Sequence, residues 1–147
     1  MPANIDIIVR SADSTETKLL VETKLSLVDL ARVEGQLKGA MLDVSCPVGI
    51  IVTPERMWMY VDEYTSTGPT SIHLVGEFAI GDLLRYKGPG SAGEGRDFEN
   101  FVQHWLEILP QIATRDRVPN ARLWDALNRF VLPAVETGDV RAAAPRY

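Results

Sequence analysis

Residues 18–26 read KLLVETKLS. Leu19, Leu20 and Val21 form an apolar run suited to a strand, and the run ends on Glu22 and Lys24 with one residue between them. Alternate strand side chains share a face, so Leu20, Glu22 and Lys24 project to one side and Val21, Thr23 and Leu25 to the other, with alternate Cβ atoms about 7 Å apart. An acid and a base so placed are either the solvated end of a strand, holding a weak surface ion pair, or two groups aimed at one reacting centre.

Upstream, IDIIVR (Ile5–Arg10) predicts another short strand, and SADSTET (Ser11–Thr17) predicts the turn that joins the two. If Asp6 lies beside Glu22, two carboxylates converge with a lysine next to them. That set of oxygens suits Mg²⁺, which takes oxygen ligands at about 2.1 Å and keeps several waters. Such an ion polarises a phosphodiester and acidifies water, while a neighbouring ammonium orients the attacking water and offsets developing negative charge.

Downstream, LVDLARVEGQLKGAM places Leu27, Leu30, Val33, Leu37 and Met41 three and four residues apart, which predicts a helix with one buried stripe. Ser26 is the expected cap, with Asp29 three residues on. CPVGIIVT and RMWMYV predict two strands around Pro54-Glu55, the first apolar enough to be covered on both faces. TSIHLV (Thr70–Val75) predicts an edge strand, and Ile80–Tyr86 a turn or two of helix. KGPGSAGEG (Lys87–Gly95) is a glycine-rich surface loop. It lacks the GKS or GKT ending of a phosphate-binding loop, although Lys87 and Arg96 at its ends would suit a flap over a substrate. DFENFVQHWLEILPQI predicts a helix capped by Asp97, and a last amphipathic helix spans residues 120–135. The tail GDVRAAAPRY is expected to fray. This order predicts one mixed α/β domain, a central mixed sheet of four or five strands flanked by helices, with two C-terminal helices.

The chain has 147 residues and a mass of 16.3 kDa, enough for one domain with a real core and too few for two independent ones. Its formal net charge of −5 argues against a nonspecific nucleic-acid coat, which draws its affinity from phosphate neutralisation, but leaves room for a local basic groove. The single cysteine, Cys46, excludes an intrachain disulfide. No signal-peptide pattern or membrane-spanning apolar run is legible, so the expected location is cytoplasmic, with no membrane partner.

Asp6, then VETK with Glu22 and Lys24 closing the next strand, then a helix and a further strand pair, resembles the PD-(D/E)XK superfamily of restriction-endonuclease-like nucleases. The resemblance covers roughly residues 3–61. It implies a restriction-endonuclease-like core over about residues 3–86, which the residue pattern follows with the glycine-rich loop at 87–96, a helical part at 97–137 and a frayed tail at 138–147. It implies Asp6 and Glu22 as metal-binding acids, the main-chain carbonyl of Thr23 as a further ligand of Mg²⁺ or Mn²⁺, Lys24 as the catalytic lysine, and Gln36 as the glutamine on the following helix. The implied function is Mg-dependent hydrolysis of DNA; the alternative is a catalytically inactive member used as a protein-binding or structural module. Where the family often has Pro-Asp this chain has Ile5-Asp6, and where some members carry a tyrosine four residues after the glutamine it has Ala40. The family core also begins with a helix, often bearing another acid, before the first catalytic strand. Only four residues precede Ile5, so either that helix comes from elsewhere, such as the C-terminal helices or a second subunit, or the site is incomplete.

Other residues have simpler expectations. Glu34 and Lys38 are solvated helix positions, His73 and His104 have no zinc-ligand spacing, and Cys46 before Pro47 is expected to be a buried, inert thiol. Arg56, Trp58 and Tyr60 share a strand face, either as packing residues or as a base-stacking platform. Phe98, Phe101, Trp105, Leu109, Trp124 and Leu127 exceed what one small sheet covers easily, which predicts a homodimer through the last helices.

Overall fold

The first two strands, β1 (Ile7–Ser11) and β2 (Thr17–Thr23), pair antiparallel with Ile7 opposite Val21 and Ile8 opposite Leu20. Asp13 organises their connection: its Oδ1 accepts from Ser11 Oγ at 2.6 Å and from the amide and hydroxyl of Thr15 at 3.1 and 2.7 Å. The computed structural model describes residues 5–88 and 94–143.

β2 leads through helix α1 (Leu30–Asp43) to β3 (Val48–Val52), which runs parallel to β2, as a helical crossover requires. The turn at Pro54-Glu55 reverses the chain into β4 (Arg56–Asp62), held by Arg56 N donating to Thr53 Oγ1 at 3.0 Å. A 3₁₀ turn (Pro69–Ser71) precedes β5 (Ile72–Ala79) at one sheet edge. The short α2 (Gly81–Leu84) and long α3 (Glu94–Ile112) follow. Then α4 (Ala121–Ala126), a π-helical turn (Leu127–Val131) and α5 (Leu132–Thr137) succeed one another without a break. The last strand, β6 (Gly138–Ala142), pairs antiparallel with β1. The sheet order is β5-β4-β3-β2-β1-β6.

Alternation sorts the strand side chains into two cores. Ile7, Val9, Leu19, Val21, Ile50 and Val52 face the layer containing Phe98, Trp105, Leu127 and Val131. Leu20, Ile51, Trp58 and Tyr60 face α1 through Val33, Leu37 and Met41. All five residues of β3 are buried, as its unbroken apolar sequence predicts for a strand covered on both faces. Gly49 lets α1 approach closely, since a Cβ there would lie 2.7 Å from Met41 Sδ.

Four expectations are corrected. The sheet has six strands rather than four or five, because Gly138–Ala142 is a strand where a frayed tail is expected; residues 144–147 lie outside the described ones. Helix α1 begins three residues later than its apolar stripe, since Asp29 and not Ser26 caps it, accepting from Arg32 N at 3.1 Å. Asp29→Ala is expected to cost about 1 kcal/mol, read as a lower urea midpoint at unchanged slope. Helix α3 begins at Glu94, ahead of the expected Asp97 cap and inside the expected glycine-rich loop, of which residues 89–93 lie outside the described ones. The basis for a dimer also goes: Phe98, Trp105, Leu109 and Leu127 are buried within the chain, and Phe101 and Trp124 pack partly buried against the same core. Among the described residues, no helix is long and apolar enough to cross a membrane.

Candidate functional site

Asp6 immediately precedes β1, and Glu22 is the penultimate residue of the adjacent β2. The Asp6 main chain is tied on both sides, its N–H donating to Val21 O at 3.1 Å and its carbonyl accepting from Ala143 N at 2.8 Å. Both carboxylates are buried, Asp6 at 3% and Glu22 at 1% exposure. Asp6 Oδ2 accepts from the Thr23 amide at 2.8 Å and the Thr23 hydroxyl at 2.9 Å. A carboxylate offers about four acceptor positions, so these bonds take two of them.

Glu22 lies opposite Ile51 in the parallel pairing with β3, next in alternation to Leu20; Leu20 and Ile51 both belong to the α1-facing core. Lys24 follows the strand end, its amide bonded to Val52 O at 2.9 Å. Its Nζ stands 3.9 Å from Glu22 Oε1, and its side chain is 35% exposed against 1% for Glu22. The pair therefore reaches from the interior to solvent. A charged carboxylate taken out of water carries a desolvation cost that an apolar residue would avoid.

Lys24 opens onto a groove beside the first turns of α1, where Asp29, Arg32 and Gln36 also line the wall. Lys24 and Gln36, twelve residues apart, are thus brought to one surface. Arg32 escaped the sequence reading, yet the signal was there: it lies four residues before Gln36, hence on the same helical face. Two cations and one carboxylate line this groove in a chain of net charge −5.

Glu34 and Lys38 do other work. Tyr60 donates its hydroxyl to Glu34 Oε2 at 2.5 Å, and Lys38 Nζ lies 4.0 Å from Glu34 Oε1 and 5.7 Å from the Tyr60 ring centre. Burial, and then the Glu34 carboxylate, hold the Tyr60 phenol well above its ordinary pKa. Trp58 is 7% exposed and donates to Glu77 Oε1 at 2.8 Å, while Arg56 pairs with Glu77 Oε2 at 2.8 Å. Trp58 and Tyr60 are accordingly packing residues, since a stacking platform needs an open ring face. Burial pushes the Cys46 thiol up to about 12, so it stays protonated near neutral pH. His73 and His104 are exposed.

Among the described residues, no three His, Cys, Asp or Glu side chains are grouped to hold a metal ion. Asp6 and Glu22 each offer carboxylate oxygens. That hard-oxygen donor set fits Mg²⁺ or Mn²⁺ and not zinc, which prefers nitrogen and sulfur.

No protein-family model, curated protein or solved structure matches the chain. Its architecture defines the class: a mixed α/β protein whose six-stranded mixed sheet is flanked by helices.

Proposed function

We propose that the chain is a metal-dependent nuclease that hydrolyses phosphodiester bonds in DNA. The observation that carries this reading is the buried Glu22 with the Lys24 ammonium 3.9 Å away, next to a strand that a second buried carboxylate, Asp6, immediately precedes. Asp6, Glu22 and the Thr23 carbonyl would hold Mg²⁺ or Mn²⁺, which supplies Lewis acidity toward the phosphate when bound. Lys24 then orients the attacking water and offsets charge on the phosphate as it develops. Arg32, with Gln36 beside it, gives the substrate backbone a local cation, which a net-negative chain needs where phosphate approaches. The restriction-endonuclease-like family places a helix before its first catalytic strand. Here α5 runs directly into β6, which lies against β1, so the C-terminal end of the chain would supply that part.

Purified protein incubated with labelled single-stranded, double-stranded and branched DNA is expected to cut at least one substrate with Mg²⁺ or Mn²⁺ and none with chelator, with calorimetry detecting the metal. Absence of both cleavage and metal binding at millimolar concentration sinks the proposal. A second reading, a catalytically inactive module of the same architecture, is favoured by one observation: the two Thr23 donors on Asp6 Oδ2 give that acid a structural task of its own. It predicts intact folding and no metal-dependent cleavage.

A further inference from the structure

At the other end of β2 from Glu22, a cleft of about 670 Å³ opens between the β1–β2 turn, the start of β3 and the helical layer. Its volume falls in the range of small-molecule sites, roughly 300–1,000 Å³. Val48, Pro47 and Ala134 give it an apolar floor, while Lys18 and Arg129 oppose a single acid, Glu16, on its walls.

Three local features shape the cleft. Pro133 lacks the N–H that would bond the Arg129 carbonyl. The helix widens there into a π turn, with Leu132 N–H reaching back five residues to Leu127 O, and Arg129 and Phe130 from that turn line the cleft. Ser45 closes α1 in left-handed conformation at φ 53°, with Cys46 N bonded to Met41 O at 2.9 Å and Ser45 N to Leu42 O at 3.3 Å. Helix ends of this kind ordinarily put glycine there, because a side chain is strained in that conformation. Here the position carries a hydroxyl to the cleft rim. Tyr64 is also left-handed, at φ 56°, and its side chain lies on the same rim in a residue 59% exposed. Strained non-glycine residues cluster where a site requires them.

We propose that this cleft binds a small aromatic anion: a planar ring against the exposed Tyr64, with a carboxylate or phosphate held by Lys18 and by Arg129, whose guanidinium lies 5.4 Å over the Phe130 ring. Arginine suits such a group because its fork matches the anion's oxygens in pairs. The site is independent of the Glu22 end of the sheet.

The test is titration of ¹⁵N-labelled protein, followed by amide shifts, with phenyl phosphate, benzoate, inorganic phosphate and benzyl alcohol. At least one aromatic anion is expected to give saturable shifts at Ser45, Tyr64 and Arg129, with half-saturation at about 1 mM or below; inorganic phosphate and benzyl alcohol bind at least about tenfold more weakly. Arg129→Gln should weaken the aromatic anion by about tenfold and leave the weak binding of benzyl alcohol unchanged. Arg129 is exposed, so its melting curve should match wild type; if it does not, Lys18→Gln takes its place. Saturation centred elsewhere, no saturation by about 10 mM, equal affinity in the charge variant, or equal affinity for benzyl alcohol each overturns the proposal.

Discussion

Lys24→Ala is expected to lower DNA cleavage by about 10²–10⁴-fold while leaving metal affinity nearly unchanged. Lys24 reaches from solvent toward Glu22 at 3.9 Å, and its task under the proposed chemistry lies in the hydrolytic step, not in holding the ion. Glu22→Gln should lose both properties together, because it removes the charge of one of the two acids proposed to hold the cation. Single-turnover cleavage and calorimetry on the same preparations separate these effects. Lys24 is part-exposed and its ion pair long, so its removal should cost no more than about 1 kcal/mol of stability, and thermal melts will show whether lost cleavage is merely lost fold. Cleavage that survives both substitutions would place the activity elsewhere.

Gly138→Ala is expected to destabilise the protein by roughly 3 kcal/mol, at the upper end of what overpacking costs. A Cβ at this junction of α5 and β6 would lie 2.7 Å from Ala134 O, 2.7 Å from Arg10 O and 2.8 Å from Val9 Cγ1. Two of these are main-chain oxygens of helix α5 and strand β1, which cannot rotate aside. Relief requires β6 to move off β1, exposing the register in which Gly138 faces Ser11 and Ala142 faces Ile7. A lower urea midpoint, with faster amide exchange on β1, is the expected result. Gly35→Ala in α1, where an added Cβ meets nothing within 4 Å, is the control, and should be neutral or stabilising by about 0.5–1 kcal/mol. Equal stability of the two variants would mean that β6 does not depend on this close approach.

β1, β2, β3, β4 and the stripe of α1 were legible in the amino-acid sequence because their signals are local: apolar alternation, an apolar run bounded by turns, and spacing of three and four. The pairing of Glu22 with Lys24 on one face was legible for the same reason. Residues 138–142, GDVRA, alternate only through Val140 and the small Ala142 between two charges, too short and weakly apolar a pattern to mark a strand by itself. They become one through main-chain hydrogen bonding to β1, more than a hundred residues earlier. The Schellman-type end of α1, the capping of Thr23 by Asp6 and the near-complete burial of Glu22 are likewise products of packing. So is the disposal of the aromatic residues of α3, which composition alone assigns to a second copy and the chain buries itself. Sequence by itself determined the elements and the residue types at the candidate site, because those follow from local periodicity and side-chain chemistry. Only the tertiary structure decided which edges pair, which faces are covered and which charges leave water, because each depends on contacts between segments distant in the chain.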